Sequence, residues 1–341
     1  MKAIVYRRYG SPDILRLEEV DKPVPKDGEV LVRVHAASVN PLDWHLLRGQ
    51  PYIVRPTSGW RKPKRNIPGV DVAGVVEAVG KDVTLVKPGD EVFGEKTRAC
   101  AEYVCGPERL FVHKPANLTL EQAAAIPVGA ITALQALREK GGIQAGQKVL
   151  INGASGGVGT FAIQLAKHFG AEVTGVTSTP NVELVRSIGA DHVIDYTRED
   201  FTRSGQTYDL IVDNAASRSL MAVRRALAPT GTAVMVGASK GNWIGPIARM
   251  LVGQQLSRFG DKTFRSMLTD IERDDLLFLK DLVQAGRVTP VIDRRYPLSE
   301  VPAAIRYLET MRARGKVIIN VVAPGTAAEV EPTPRRASYS R

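Results

Sequence analysis

Cysteine is scarce in this sequence. Cys100 and Cys105 are the only two cysteines among 341 residues. Two thiols cannot complete the four ligands of a structural zinc site, and they cannot build the several cross-links of a disulfide-stabilised domain. The shortage favours a reducing compartment, and we therefore expect a cytoplasmic protein.

Long hydrophobic runs are also missing. No stretch approaches the roughly 18 consecutive apolar residues of a transmembrane helix, and the opening MKAIVYRRYG lacks the apolar core of a secretory signal. An integral membrane segment is therefore not predicted. Hydrophobic residues make up 44% of the chain and charged residues 24%, as is typical of globular proteins, and the length of 341 residues predicts two domains.

Acidic residues are outnumbered by basic ones, so the formal net charge is +10. The excess is partly local, because Arg55, Arg61, Lys62, Lys64 and Arg65 lie in one proline-bearing stretch. Basic surfaces attract polyanions, but no zinc-finger, homeodomain or RNA-binding pattern accompanies this stretch, and we predict no nucleic-acid partner. The stretch is interpreted as a solvated basic loop, with peripheral contact to a membrane or an anionic substrate left open.

The hydrophobic pattern divides the chain into parts. Up to about residue 118, short strand-like segments such as GEVLVRVHAASV are separated by glycine and proline turns, which predicts a β-rich region. Between about 119 and 268, strand-like and helical segments alternate, which predicts a parallel sheet covered by helices. A helix, a strand, a helix and a strand follow at 270–322, and the Pro-, Ser- and Arg-rich tail at 323–341 is predicted to be disordered.

A glycine-rich turn follows the predicted strand KVLI. After Asn152, the residues Ala154, Gly156 and Gly159 have the spacing of a dinucleotide-binding fingerprint. Small residues let the backbone approach a pyrophosphate, whose charge the amide groups at the start of the next helix stabilise. Because the turn lies between a strand and an amphipathic helix, we predict that it binds a dinucleotide. The predicted contacts are Ala154, Ser155, Gly156, Gly157, Val158 and Gly159.

The end of the next strand indicates which dinucleotide binds. An NAD-selective site usually has an acidic residue there, about twenty residues after the turn, on the ribose 2′-hydroxyl. This chain has Thr177, Ser178 and Asn181 instead. These groups accept a 2′-phosphate without charge repulsion, and Arg198 is the nearest candidate for its cation, although it is also interpretable as a surface residue. We therefore predict NADPH in preference to NADH.

Several segments together resemble the medium-chain dehydrogenase/reductase superfamily, in its zinc-free quinone oxidoreductase-like branch. The resemblance covers about residues 1–322 and rests on AASVNPLDW, PGVDVAGVVEAVG, KPGDEVFG, AAIPVGAITALQAL, NGASGGVG and GKVIINV, in that order. It implies an α/β fold with a GroES-like β-rich catalytic domain at 1–121 and 270–322. A Rossmann NADP-binding domain, a doubly wound parallel sheet, is expected at 122–269, with the active site in the cleft between the domains.

The resemblance also implies a site without metal. Zinc-dependent members carry Gly-His-Glu where this chain has Gly69, Val70 and Asp71, and they have a ligating cysteine in the segment that matches Ser38 to Asp43. Valine cannot ligate zinc. We predict no catalytic metal, and we expect Asp71 to hold a turn through bonds from its side chain to the backbone.

A site without metal favours the reduction of a conjugated carbonyl compound. Hydride transfer to a simple ketone develops alkoxide charge that zinc normally stabilises. Hydride transfer to the β-carbon of an enone or a quinone spreads the charge onto a remote oxygen, which hydrogen bonds can stabilise. We predict NADPH-dependent reduction of an α,β-unsaturated carbonyl (an enone or alkenal) or of a quinone, and the sequence does not separate these substrates.

Further site residues are implied by their matching positions in the family. Asn40 and Asp43 match the polar pair that replaces the metal environment, although both types also favour turns. Tyr52 matches a tyrosine of the substrate cleft, and its hydroxyl suits a proton donor. Lys316 is interpreted either as reaching the cofactor phosphates or as a solvated charge near a helix cap. The other implied cofactor contacts are Pro127, Val128, Thr132, Tyr196, Asn214, Val236 and Gly237.

Two other functions stay open on the sequence. One is a metal-free NAD(P)-dependent alcohol dehydrogenase, and the other is a non-catalytic nucleotide-binding relative associated with a membrane. A short-chain reductase is excluded, because no Tyr-x-x-x-Lys motif follows the glycine turn. The resemblance also implies a homodimer, in which the segment TAVMVG would pair across the interface.

Overall fold

The computed structural model of the protein describes residues 1–50, 52, 55–64, 66–237, 244–258 and 260–322. The tail at 323–341 and Arg65 of the basic stretch lie outside these residues. The described strands form two large sheets and one strand pair, and helices pack against the sheets. This architecture confirms the α/β class predicted from the sequence.

The amino-terminal part of the chain supplies most of the first sheet. A separate antiparallel pair, β1 (Lys2–Val5) and β2 (Arg16–Glu19), precedes it. The sheet strands that follow are β3 (Glu29–Val39), β4 (Asp71–Val79), β5 (Glu91–Glu95), β6 (Tyr103–Pro107) and β7 (Phe111–His113). All of their pairings with one another are antiparallel, and the β-rich region that the sequence predicts is thus an antiparallel sheet.

Two short α-helices interrupt the described part of this β-rich region. The first, α1 (Pro41–Arg48), begins with proline at its first position, where the missing N–H costs nothing. The side chain of Asp43 accepts a hydrogen bond from the N–H of Asn40 and so satisfies a free donor at the helix start. The second, α2 (Arg55–Ser58), is a single turn within the basic stretch.

The second sheet is parallel throughout. Its strands are β8 (Lys148–Asn152), β9 (Glu172–Thr177), β10 (His192–Asp195), β11 (Tyr208–Asp213), β12 (Leu227–Met235) and β13 (Thr263–Ser266). They lie in the order β10-β9-β8-β11-β12-β13, with a reversal between β8 and β11. A ligand site in such a sheet lies at this reversal, beyond the carboxyl ends of the strands.

The helices of this region largely follow the predicted periodicity. They are α3 (Leu120–Ala124), α4 (Pro127–Gln135), α5 (Gly159–His168), α6 (Val182–Ser187), α7 (Leu220–Ala226) and α8 (Ile244–Arg258). The long helical pattern before β8 is split at Pro127, which starts α4 because proline cannot continue α3. Residues 136–140 extend α4 as a short π-helix.

The carboxyl-terminal segment returns to the first sheet. It comprises α9 (Arg273–Gln284), β14 (Ile292–Pro297), α10 (Val301–Glu309) and β15 (Lys316–Asn320). β15 lies between β14, to which it is parallel, and β3, to which it is antiparallel. The first sheet is therefore assembled from both ends of the chain.

The segment TAVMVG does not lie at the edge of the second sheet. Its residues Thr232–Met235 belong to β12, which pairs with β11 on one side and β13 on the other. The expectation that this segment pairs across a dimer interface is therefore wrong, because β13 already occupies its free side. No helix in the described part of the chain has the length and apolar composition needed to cross a bilayer.

Candidate active site between the two sheets

Asp71 lies at the centre of a buried polar cluster. It is the first residue of β4 and is fully buried, so it lies in a strand rather than in the turn expected from the sequence. Its Oδ2 atom accepts hydrogen bonds from Ser38 Oγ and, at 2.9 Å, from Asn40 Nδ2. Its Oδ1 atom accepts one from the backbone N–H of Val128, at 2.8 Å. The carboxylate therefore connects the first sheet to the start of α4.

Lys316 supplies the positive charge that balances Asp71. Its Nζ atom lies 2.8 Å from Asp71 Oδ2 and donates a hydrogen bond to Asn40 Oδ1 at 2.6 Å. The lysine side chain is only 2% exposed, so its interpretation as a solvated charge is wrong. A buried carboxylate needs such a partner, because an unpaired charge away from water is strongly unfavourable.

The alkyl chain of Lys316 also contacts the region of the glycine turn. A Cβ atom on Gly157 would lie 3.2 Å from Lys316 Cδ, and one on Gly129 of α4 would lie 3.4 Å from it. In addition, Gly315 forms an isolated bridge with Gly156. The lysine therefore passes between the turn and α4, and its ammonium group ends at Asp71.

Asn40 and Asp43 hold the start of α1 in place. Each oxygen of Asp43 accepts a backbone N–H at 2.7 Å, one from Asn40 and one from Gly69. Burial raises the pKa of Asp43 to about 6, and the charge of Asp71 adds to this effect, whereas the two amide hydrogen bonds and Lys316 oppose it. Both polar ends of Asn40 and both oxygens of Asp43 are thus engaged inside the protein.

Tyr52 lies half-buried near the end of α1. The guanidinium carbon of Arg55 is 4.4 Å from the centre of the Tyr52 ring and 4.8 Å from that of Tyr9. Arg55 Nε also donates a hydrogen bond to the carbonyl oxygen of Gly49, at 3.1 Å. The position of the Tyr52 ring is therefore stabilised by a cation that is itself tied to the end of α1.

The glycine turn lies at the reversal of the second sheet, directly after β8. Gly153 has a φ of +80°, a conformation that favours glycine, and a Cβ atom on Gly159 would collide with the carbonyl oxygen of Gly153. By contrast, a Cβ atom on Gly156 would meet nothing closer than 3.5 Å. The turn is therefore closely packed behind Gly159 and open at Gly156, as a phosphate-binding turn requires.

The residues predicted near the ribose form one hydrogen-bonded group. Ser155 Oγ accepts hydrogen bonds from Thr177 Oγ1 at 2.9 Å and from Asn181 Nδ2 at 3.1 Å, and Asn181 Nδ2 also lies 3.3 Å from Ser178 Oγ. Asn181 Oδ1 is buried and has no hydrogen-bond partner among the described residues. Since buried polar atoms are rarely left unpaired, this acceptor is a candidate contact for a ligand.

Asn214 presents a second unpaired group at the same edge. It follows β11, and neither Nδ2 nor Oδ1 of its buried carboxamide has a partner within the described ranges. A Cβ atom on Gly237 would collide with the backbone oxygen of Asn214, so the chain beyond β12 packs directly against it. Val236, next to Gly237, is half-buried against the core. The structure thus brings Asn214, Val236 and Gly237 together at the carboxyl edge of the second sheet.

The residues implied in α4 face the first sheet and the segment after β13. Pro127 begins the helix and is buried. The N–H of Val128 binds Asp71, and Thr132 Oγ1 lies 2.8 Å from Thr269 Oγ1. The start of α4 is therefore part of the same polar assembly as Lys316.

Tyr196 and Arg198 lie further out. The Arg198 side chain is 77% exposed, with Nε 3.6 Å from Asp195 Oδ2, and Tyr196 is 52% exposed. Asp195 pairs in register with Thr177 and accepts a hydrogen bond from Thr179 Oγ1, and this bond is the main cause of its lowered pKa. An acidic group that the sequence analysis did not consider therefore lies beside the predicted 2′-phosphate region.

Known proteins match nearly the whole chain. Residues 26–116 match the family described as alcohol dehydrogenase GroES-like domain, and residues 188–319 match zinc-binding dehydrogenase. The 2-methylene-furan-3-one reductase of Solanum lycopersicum is 37% identical, with 94% of this chain and 79% of that protein covered. The chain belongs to the medium-chain dehydrogenase/reductase superfamily, in its quinone oxidoreductase-like branch.

Two further similar proteins support this family assignment. The NADPH-dependent alkenal/one oxidoreductase of Arabidopsis thaliana, a chloroplastic protein, is 34% identical, with 94% of this chain and 79% of that protein covered. The structure of the quinone oxidoreductase from Coxiella burnetii superposes with a TM-score of 0.83 at 31% identity, covering 94% of this chain and 99% of that one. The family and fold predicted from the sequence are therefore confirmed.

The zinc ion implied by one family description does not fit the residues of this superfamily member. Val70, in place of the histidine ligand, is a buried hydrocarbon side chain, and the neighbouring Asp71 is paired with a buried ammonium group that would repel a divalent cation. Both Asp43 oxygens already bind backbone amides. Among the described residues, no three His, Cys, Asp or Glu side chains form a group that could hold a metal ion.

Sequence reasoning missed a second buried ion pair of this dehydrogenase fold. Arg249 Nη2 of α8 lies 2.7 Å from Asp213 Oδ2, and their side chains are 12% and 2% exposed. Asp213 Oδ1 accepts a hydrogen bond from Asn152 Nδ2 at 2.7 Å. Asp213 and Asn152 each end an apolar strand, which is a signal for polar groups at the carboxyl edge, but nothing in the sequence around Arg249 pointed to it.

Proposed function

We propose that this protein is an NADPH-dependent oxidoreductase that reduces an α,β-unsaturated carbonyl compound (an enone or alkenal) or a quinone, without a metal ion. The observation that carries the proposal is the buried ion pair of Lys316 and Asp71, 2.8 Å apart, next to the valine that replaces a zinc-binding histidine. The relatives from Solanum lycopersicum and Arabidopsis thaliana, a 2-methylene-furan-3-one reductase and an alkenal/one oxidoreductase, support the same reaction.

The reaction needs a hydride, a group that stabilises the developing charge, and a proton. NADPH supplies the hydride when it is bound. Addition of hydride to the β-carbon shifts the π pair of the C=C bond to between the α-carbon and the carbonyl carbon and moves the π pair of the C=O bond onto oxygen. The resulting enolate then takes a proton from water at the α-carbon. We assign the stabilisation of that oxygen to the hydroxyl of Tyr52, whose ring is held by Arg55.

Asn40 and Asp43 act in this proposal as positioning residues. The polar atoms of Asn40 bind Asp71 and Lys316, and those of Asp43 bind the backbone of α1 and Gly69. The two residues therefore hold these groups in fixed positions beneath the proposed substrate site. Positioning matters for catalysis because small displacements of a substrate-binding surface cost large factors in rate. Tyr52 is then the residue that we expect to touch the substrate.

The second sheet supplies the proposed NADPH site. The backbone of Ala154, Ser155, Gly156, Gly157, Val158 and Gly159 would hold the pyrophosphate at the start of α5. Asn214, Val236, Gly237 and α4 would surround the nicotinamide, whose carboxamide could satisfy the unpaired atoms of Asn214. Thr177, Ser178, Asn181 and Arg198 would face the 2′-phosphate, with Tyr196 beside the adenine. Lys316 contributes its alkyl contact with Gly157 rather than a bond to a phosphate.

NADPH oxidation with analysis of the products tests the function. The panel contains enones, 2-alkenals, quinones and simple ketones, each assayed before and after treatment with a chelator. We expect loss of the C=C bond with the C=O bond retained, reduction of quinones to hydroquinones, and no effect of the chelator. Loss of the C=O bond of simple ketones would instead indicate an alcohol dehydrogenase.

Two further outcomes would overturn parts of the proposal. Stoichiometric zinc together with chelator-sensitive activity would overturn the metal-free mechanism. Failure to oxidise NADPH with any acceptor, while NADPH still raises the melting temperature, would indicate a nucleotide-binding protein without catalysis.

The proposed domains are a catalytic domain at 1–121 and 270–322 and a cofactor domain at 122–269. The pairing of β15 with β3 supports the assignment of both chain ends to one domain. The six parallel strands of the second sheet all lie within the proposed cofactor domain. Limited proteolysis followed by mass spectrometry would test the boundaries near 121 and 269.

We further propose a cytoplasmic homodimer that forms along β13. β13 is an edge of the second sheet, and Leu268, just beyond it, is 93% exposed. Met250, Leu251 and Val252 of α8, which packs against β13, are 38%, 50% and 48% exposed. Exposed strand edges and apolar patches favour association of two copies. The cytoplasmic location is proposed on other grounds, since the free thiols of Cys100 and Cys105 fit a reducing compartment. Light scattering of the wild type and of Leu268→Lys tests the dimer, and cell fractionation tests the location.

A further inference from the structure

The basic stretch carries a set of exposed charges around a single tryptophan. Residues 44–70 contain no Asp or Glu and six Lys or Arg. We call Trp60, Arg61, Lys62 and Lys64 the basic patch, since all four are exposed and the Trp60 side chain is 63% exposed. None of the ion pairs formed among the described residues involves the three cations of the patch.

The patch is built on a turn that the rest of the protein fixes. Gly59 has a φ of +115°, and a Cβ atom there would collide with the carbonyl oxygen of Lys62. The N–H of Lys64 donates to the oxygen of Ser58 and the N–H of Gly59 to that of Arg55, each at 2.8 Å. The hydroxyl of Tyr9 donates to the oxygen of Gly59 and ties the turn to the segment after β1. Trp60 is therefore held outside the protein core by backbone geometry.

Arg55 is not part of this exposed charge. Its guanidinium group stacks on the rings of Tyr9 and Tyr52 and donates a hydrogen bond to the carbonyl oxygen of Gly49, so Arg55 stabilises the local structure of the stretch. The three cations of the basic patch have no such role within the described structure. A tryptophan that is exposed on a fixed turn beside three cations adds nothing to the stability of the fold, and we infer from its amphipathic ring and the adjacent charges that this surface contacts a partner.

We propose that the basic patch docks this protein peripherally on an anionic lipid bilayer. The amphipathic ring of tryptophan prefers the boundary between lipid headgroups and hydrocarbon, and lysine and arginine next to the surface are attracted to acidic headgroups. A single-stranded nucleic acid would instead require several stacking platforms along a groove, and Trp60 is the one aromatic residue of the patch. The observations therefore favour a membrane over a nucleic acid.

Docking at this point would place the cleft next to the membrane. Tyr52 precedes the patch in the chain, and Asn66 and Gly69 follow it. The carbonyl oxygen of Asn66 accepts a hydrogen bond from the N–H of Tyr6, and the N–H of Gly69 donates one to Asp43. A substrate dissolved in lipid, such as a quinone with an apolar tail, would then reach the cleft from the bilayer. This consequence rests on the proposed function, whereas the docking itself does not.

Co-sedimentation of the full chain with lipid vesicles tests the docking. Vesicles of phosphatidylcholine alone are compared with vesicles that also contain phosphatidylserine, at low and high salt. We expect binding only to the phosphatidylserine vesicles, loss of that binding at high salt, and a blue shift of tryptophan emission that is missing in Trp60→Ala. Equal binding to both lipids, or no binding to either, would overturn the proposal.

Charge-reversal variants separate this surface from the overall positive charge. The variant Arg61→Glu/Lys62→Glu/Lys64→Glu should weaken the partitioning onto phosphatidylserine vesicles by about a hundredfold or more. The matched control, Arg203→Glu/Arg225→Glu/Arg312→Glu, changes the net charge equally at three exposed residues elsewhere, and we expect a change of less than about threefold. Equal losses in both triple variants would show attraction by net charge alone and overturn the assignment.

Melting temperatures and a competition assay control for misfolded variants and for other partners. Trp60→Ala and the charge-reversal variants are accepted only if their melting temperatures match that of the wild type, and the salt dependence of wild-type binding stands without any variant. In a competition assay, protein bound to vesicles is displaced by a single-stranded oligonucleotide, by an acidic polypeptide or by added phosphatidylserine-containing vesicles. If either polymer displaces the wild type at a lower concentration than the added vesicles do, the membrane is overturned as the partner. NADPH oxidation with a water-soluble quinone, measured in the same samples, tests the proposed function separately.

Discussion

The glycine turn and the Asp71 cluster both belong to the proposed active site, but they are built in opposite ways. The turn needs only residues 153–159, and its backbone geometry is dictated by glycines within that segment. The cluster brings together Ser38, Asn40, Asp71, Val128 and Lys316, and its ion pair joins residues 245 positions apart. The geometry of the proposed cofactor turn is therefore specified locally, whereas that of the Asp71 cluster is specified by tertiary contacts.

The largest expected effect separates the two regions through Lys316. Lys316→Met keeps the alkyl contacts with Gly129 and Gly157 but leaves the Asp71 carboxylate buried without its cation. We expect a loss of about 3–5 kcal/mol in the free energy of unfolding, measured with urea. The affinity for NADPH should change much less, because the glycine turn does not depend on the ammonium group.

The double variant Lys316→Met/Asp71→Asn is the control for this experiment. It removes both charges, so most of the stability lost in the single variant should return. Additive losses in the double variant would mean that the pair is not coupled. A parallel loss of NADPH affinity in Lys316→Met would show that the turn and the cluster are one unit.

The next effect concerns Asp43 and pH. Burial raises its pKa from 3.8 to about 6, so the folded protein binds a proton more tightly than the unfolded chain. This contribution to stability is fully present below about pH 4 and is lost as the pH rises towards about 6. It amounts to about 3 kcal/mol in the free energy of unfolding.

The comparison with Asp43→Asn isolates this carboxyl group from the other titrating groups. The stability of the wild type relative to the variant should decrease as the pH rises from 4 to 7, when both are measured by thermal unfolding across that range. A constant difference at every pH would show that Asp43 does not carry the effect. Because the amide group cannot accept both backbone N–H groups, the variant is also expected to be less stable at every pH.

A smaller effect distinguishes two glycines of the turn. Gly159→Ala places a Cβ atom against the backbone of Gly153 and 2.7 Å from the oxygen of Ala154, and it should destabilise the fold by about 1–3 kcal/mol. Gly156→Ala has room for its Cβ atom in the protein and should melt like the wild type. It should nevertheless weaken NADPH binding by about tenfold or more, since the methyl group keeps the backbone away from the phosphates.

Fluorescence titration of NADPH and thermal unfolding together check both glycine variants. Wild-type affinity in Gly156→Ala would argue against phosphate binding at this turn. Wild-type stability in Gly159→Ala would mean that the turn adjusts more easily than its packing indicates.

The smallest effect is expected at Arg198. Arg198→Ala should reduce the preference for NADPH over NADH by less than about tenfold, because an exposed charge is screened by salt. The ratio of kcat/KM for the two cofactors measures it, and Arg203→Ala is the matched control, since it removes another exposed arginine from the same connection. An unchanged preference would remove Arg198 from the site.

The sequence was sufficient for the parts of the fold that have a local signal. The alternation of strands and helices predicted the second sheet, and the glycine spacing predicted the turn at its reversal. The segment Asn-Pro-Leu-Asp was interpreted as possible turn chemistry, and the structure shows that the same residue types start α1. Turns and helix starts use the same side-chain bonds to the backbone, so the sequence alone could not separate them.

The missed features depend on contacts between distant segments. β13 is short, contains Arg265 and is preceded by Lys262, so its pattern did not indicate a strand, and β12 was taken for the edge. Asp71 was expected in a turn because nothing near it in the sequence reveals Lys316. A charged residue in a strand pattern becomes interpretable only when its partner is known.

The position of β15 also has a consequence for folding during synthesis. β3 is complete once residue 39 has left the ribosome, but its neighbour β15 is not made until residues 316–320. The edge of β3 that pairs with β15 therefore stays unpaired while the whole parallel sheet is synthesised and free to fold. Translation that stops before residue 316 would release a chain whose parallel sheet is complete but whose first sheet lacks β15.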